Sequence, residues 1–216
     1  MKPTLRIALY LLVSIVAAVQ AGTDRTSEVL AKPVAILSFK IDPATSKFVA
    51  HAHRGGLVWF KGQDHYLAVR QFSGEASLDL NVLNPASLSM TIEANSLHET
   101  GAGFTPPQKT IIDREVNEIS LETAKYPTIT FRSTGVTGGP ANGAFAIKIA
   151  GDITMHDVTR HITIPATVTV NGDALNAKGE FELKRSDFGV KATSAFHGWV
   201  RVKDKLTFDF DINARR

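Results

Sequence analysis

The stretch Ala144–Val170, AFAIKIAGDITMHDVTRHITIPATVTV, alternates apolar and polar residues over two long runs, and it constrains the fold more than any other feature. Phe145, Ile147, Ile149, Ile153 and Met155 share one parity, against Ala146, Lys148, Asp152 and Thr154 on the other. After a polar connection, Ile162, Ile164, Val168 and Val170 alternate with His161, Thr163, Thr167 and Thr169. Side chains on a strand point to opposite faces in turn, so both runs predict antiparallel strands with one wet face and one face that needs cover.

The same code recurs along the chain. Ile36–Ile41 and Lys47–Arg54 flank an Asp42-Pro43 turn. Tyr66–Val82 alternates around a break expected at Gly74, and Leu88–Ala94 alternates again. Thr128–Arg132, a stretch around Phe181 and Leu183, and Leu206–Ile212 follow, with Gly135–Pro140 expected as a loop and Asn171-Gly172 as a tight hairpin. One segment changes period. Thr105-Pro106-Pro107-Gln108 is a capping box, and Ile112, Val116 and Ile119 follow at helical spacing until Pro127 forbids further helix. The expectation is an all-β fold with one amphipathic helix and about eight or more antiparallel strands. Closing such a sheet removes its edges, and an eight-stranded closed sheet either fills with side chains or holds one small apolar ligand. A two-sheet sandwich satisfies the same parity.

The 216 residues include no cysteine, which excludes disulfides, thiolate metal sites and cysteine nucleophiles. Residues 1–21 carry Lys2 and Arg6 before the apolar run Ile7–Val19, with small residues at Ala21 and Gly22, the pattern of a signal peptide cleaved after Ala21. At about 13 residues that run is short for a membrane span, and no integral span is expected after cleavage. Cleavage lowers the formal charge from +3 to +1, and no basic tract suggests nucleic acid. Residues 22–33 read as a linker and 34–214 as one barrel domain.

These segments carry a family resemblance. FKIDPATSKF (39–48), the Phe72-Ser73-Gly74 segment, AKYPTITFRS (124–133), GDITMHDV (151–158) and RSDFG (185–189) match in order the motifs of the YceI-like family. Asp157 stands where that family often has glycine, and Gln63 stands at the first histidine of a Gly-His-x-His variant. The resemblance implies an exported bacterial protein with a closed lipocalin-like barrel that binds polyisoprenoid lipids. It implies a carrier or storage role for an isoprenoid or quinone tail, with an apolar lipid as partner and the question of a homodimer left open.

Parity then nominates Phe48, Phe131, Phe145, Ile147, Ile149, Met155, Phe181, Leu183, Phe208 and Phe210 as inward residues that touch either lipid or one another. Trp59 and Phe60, near Tyr66 in a glycine-bracketed loop, are candidates for the barrel mouth or for a lid over the core. His51 and His53 share one strand face, with His65 nearby in sequence. They make a metal- or redox-linked accessory protein the alternative function, against a plain reading as solvated side chains. His156, Asp157 and His161 read as surface residues. No Gly-x-Ser-x-Gly elbow, Walker loop or Rossmann glycine pattern occurs in context, so catalysis is not expected. An interaction module with a solid barrel is the remaining option.

Overall fold

The computed structural model describes residues 36–56, 60, 62–79, 85–192, 194–195 and 200–216. The expected signal and linker, and Trp59, lie outside the described residues. The strands are β1 (Ile36–Ile41), β2 (Lys47–Gly55), β3 (His65–Val69), β4 (Phe72–Asp79), β5 (Ala86–Glu93) and β6 (Leu97–Glu99). Helix α1 (Pro106–Glu115) follows, then β7 (Thr128–Ala141), β8 (Ala144–Met155), β9 (Val158–Asn171), β10 (Ala174–Lys184), β11 (Ser194–Ala195) and β12 (Val200–Arg215).

Eight strands form a closed antiparallel ring in the order β1-β4-β5-β7-β8-β9-β10-β12, so the barrel and not the sandwich is the solution. Closure rests on two pairs at one corner, Lys40 with Arg215 and Ile41 with Ala214. The Asp-Pro turn reinforces it. The Asp42 carboxylate accepts the Ala44 N–H at 3.0 Å, and the Asp42 N–H donates to the Asn213 carbonyl at 2.8 Å. The Ser46 hydroxyl accepts from the Asn213 N–H at 2.9 Å, which ties the second strand to the last. Along the same edge β12 pairs with β2, and β3 and β6 extend that branch outside the ring. An irregularity between Val202 and Leu206 lets β12 bend between these duties.

Phe39, Ile149, Ile153, Ile164, Val168 and Ile212 are buried on the inner face, as the alternation predicts. Three expectations are corrected. Gly135–Pro140 is not a loop but part of β7, which pairs with β8 to Ala141, and the turn is Asn142-Gly143. Glycine suits this strand because a side chain on Gly138 would run into the β8 backbone at Ala146. Gly74 likewise lies inside β4, and the break falls at Arg70-Gln71. The hairpin after Asn171 exists, but Asn171 pairs with Ala174, so Gly172 (φ 58°) and Asp173 form its turn.

The Gln108 Oε1 accepts from the Thr105 N–H at 2.8 Å, which starts α1 as the capping box predicts. Ile112 packs on the core and Val116 is buried, but Ile119 is 47% exposed. The cause is a π turn at Val116–Ser120, in which the Leu121 N–H donates to the Val116 carbonyl at 2.8 Å. A turn closed five residues on rotates Ile119 outward and delivers Leu121 to the core instead.

Candidate functional site

The barrel holds an apolar cavity of about 140 Å³. Of the residues nominated from sequence, Phe48, Phe131, Ile147, Ile149, Phe181 and Phe210 line it, joined by Met90, Ile153 and Ile212. Ser77, Ser87 and Thr130 are the only polar residue types on the described wall. Gly151 makes room for one liner, because a Cβ there would stand 2.5 Å from Phe131 Cζ. A larger cavity of about 470 Å³ lies between α1, β2, β3 and β12. Met155 and Phe208 line this second space rather than the first. Ile129 borders both. Between them Phe181 and Phe208 stack at 5.0 Å between centroids, and Phe48 lies 6.5 and 6.3 Å from these rings. Phe48, Phe181 and Phe208 thus form an aromatic partition.

The remaining nominees sit elsewhere. Phe145 packs on the core and Leu183 is buried, and neither lines either of these two spaces. Phe60 is 64% exposed and lines neither space. His156 is buried, correcting its surface reading, because the Asn-free turn His156-Asp157 (φ 54° and 57°) folds its ring against Tyr126 at 4.3 Å. His161 is exposed as expected and pairs with Asp152 at 2.8 Å.

His65 is parted from the other two histidines. It pairs with Ala52 across β2 and β3 and therefore takes the inward parity, whereas His51 pairs with Tyr66 on the outer face. His65 lines the helix-side cavity, stacked on Phe104 at 4.9 Å, and its Nδ1 lies 2.8 Å from the Glu99 carboxylate. Glu99 is buried and also accepts the N–H groups of Gly101 (2.6 Å) and Tyr66 (3.2 Å). Burial pushes its carboxyl up, but the hydrogen bonds from His65, Gly101 and Tyr66 outweigh this and hold it below its ordinary value. Glu99 escapes the sequence reading because β6, a strand of three residues, carries no periodicity.

The same strand anchors the helix. Asp113 Oδ1 accepts the Glu99 N–H at 2.7 Å, and its Oδ2 lies 3.0 Å from His98 Nδ1. No residue of α1 itself is fully buried, so Asp113 carries much of the docking. Asp113→Ala is expected to raise amide exchange in α1 by about tenfold, as loss of about 1.4 kcal/mol of local stability requires. Unchanged exchange by mass spectrometry would refute the anchoring role. The rim of this cavity also carries Arg54, Gln63, Gln108, Glu115, Arg185 and Lys191. The interior therefore offers a dry apolar cavity and, beside it, a wider space with hydrogen-bonding and charged groups.

The YceI-like domain model matches residues 39–214. A Protein YceI of Escherichia coli O6:H1 is 28% identical over 134 residues, covering 58% of this chain and 63% of that protein. A UPF0312 protein of Pseudomonas aeruginosa is 30% identical over 145 residues, 63% of this chain and 66% of its own. The chain thus matches slightly less than two thirds of these relatives' length. Burkholderia cenocepacia BcnA shares the fold with a TM-score of 0.63 and 24% identity, over 80% of this chain and 98% of BcnA. A polyisoprenoid binding domain from Saccharophagus degradans, implicated in plant cell wall breakdown, aligns with a TM-score of 0.58 and 12% identity, covering 82% and 97%. No helix among the described residues is long and apolar enough to cross a membrane. The ordered motifs, the closed barrel and a family match across nearly all of it lead to one assignment: this chain belongs to the YceI-like domain family.

Proposed function

We propose that the protein is an exported carrier or store for an isoprenoid lipid, such as a polyprenyl or quinone tail, and that it binds without catalysing a reaction. Export rests on the signal pattern of residues 1–21, with the linker at 22–33 and the binding domain at 34–214. The observation that carries the reading is the apolar cavity inside a closed barrel, walled by Phe131, Ile147, Ile149 and Phe210. Each methylene buried there contributes about 0.8 kcal/mol, so a tail binds with little polar recognition. The Saccharophagus degradans domain, which shares this fold, is a polyisoprenoid binding domain, the same ligand class. In this reading the tail end occupies the apolar cavity and the headgroup lies among His65, Arg54 and Lys191 of the helix-side cavity. A tail longer than the inner space threads past the partition by rotation of Phe48, Phe181 and Phe208.

Native mass spectrometry of protein purified from its own host tests this. A co-purifying hydrophobic mass, removed by organic extraction and restored by a polyprenyl alcohol or a quinone, is the expected result. A bare protein mass that neither lipid changes on loading overturns the proposal.

A further inference from the structure

We propose that His51, His53 and Asp64 form a binding site for a divalent transition-metal ion on the outer face of the barrel. The two histidines stand two apart on β2 and so project to one side, and Asp64 immediately precedes β3 beside them. Both imidazoles aim a nitrogen at the same oxygen. His51 Nε2 lies 3.3 Å and His53 Nδ1 3.5 Å from Asp64 Oδ2, and one donor atom of each residue lies within 4.8 Å of the others. The first is a hydrogen-bond contact at the long end of the usual range, and both separations also match the spacing of two ligands around a shared ion. Tetrahedral coordination with bonds of about 2.0–2.1 Å requires ligand atoms about 3.3–3.4 Å apart.

The surroundings pre-set the donors. Asp64 Oδ1 accepts the Arg54 N–H at 2.9 Å, which leaves Oδ2 for the site. The Arg54 Nη1 donates to the Gly62 carbonyl at 3.1 Å and pins the loop that carries Asp64. Tyr66 stacks on His51 at 4.2 Å and 17°, fixing that ring's plane. The side chains are 17%, 37% and 30% exposed, which leaves a coordination position open to solvent. Two imidazoles and one carboxylate suit Zn²⁺, Cu²⁺ or Ni²⁺ rather than Mg²⁺ or Ca²⁺. His65 takes no part, since it faces the helix-side cavity.

The test is calorimetric titration of untagged protein with ZnCl₂, with Cu²⁺ electron paramagnetic resonance as the second measurement. The expected result is one saturable Zn²⁺ site per chain, weakened at least about tenfold by His53→Ala and by Asp64→Asn. His161→Ala should leave it unchanged, because the His161–Asp152 pair at 2.8 Å has no second imidazole converging on it. The Cu²⁺ spectrum should show coupling to two nitrogens, a readout that needs no folded variant. No saturable Zn²⁺ binding up to about 1 mM overturns the proposal. So does Zn²⁺ binding that survives His51→Ala/His53→Ala, or a Cu²⁺ spectrum without nitrogen coupling.

Discussion

Ile149→Trp is expected to weaken retention of a long apolar ligand about 30-fold while leaving the protein folded. Ile149, on β8, is 7% exposed, pairs with Val136 of β7 and Ile164 of β9, and lines the apolar cavity. The larger ring system extends into a space of about 140 Å³ and occupies room a tail would use. Excluding two or three methylenes removes about 2 kcal/mol of burial, which corresponds to the stated loss of affinity. Overpacking normally costs about 1–3 kcal/mol, but here a pre-existing void takes up part of the added volume. Extracted protein reloaded with a fluorescent polyprenyl analogue gives the comparison. Equal affinity in the variant would mean that the tail does not reach this cavity.

Glu99→Ala should destabilise the fold by about 3 kcal/mol, the scale of removing one partner from a buried charged hydrogen-bond set. It leaves His65 and the N–H groups of Tyr66 and Gly101 without their shared acceptor. Wild-type stability should also depend on acid pH through this group. The Glu99 carboxyl is depressed in the folded state, so its contribution is fully present above the unfolded value of 4.5. That contribution is lost as pH falls through the lower folded value. Urea midpoints measured across that acid window should fall more steeply for wild type than for Glu99→Gln. Parallel slopes would show that Glu99 is not the titrating group.

The parts of this structure readable from sequence are those governed by local period. Parity placed Ile149, Phe131 and Phe210 inside because one strand face is dry along its length. Closure was not readable, since a barrel and a sandwich use the same alternation, and the pairing of Ile41 with Ala214 is not encoded in either segment alone. Gly135–Pro140 reads as a loop in sequence because glycine and proline signal turns unless a neighbouring backbone requires their lack of bulk. Cross-strand register decided the histidines. Sequence distance grouped His65 with His51 and His53, whereas pairing with Ala52 turned it to the other face and brought Asp64 to the outer pair. Ile119 was lost to a π turn that shifts the phase of a helix by one residue.

The corner that joins Ile41 to Ala214 also bears on how the molecule is assembled. The ring closes between its first and last described strands, a loop of nearly the whole domain, so the most distant contacts must form before the interior is sealed. High contact order of this kind slows folding, into the range of milliseconds to seconds for β-rich domains. Until β12 docks, the inner face remains an open, apolar trough. On the proposed carrier reading, a lipid present during folding meets that trough before the wall is complete, and loading at that stage avoids the passage past the aromatic partition proposed for loading afterwards.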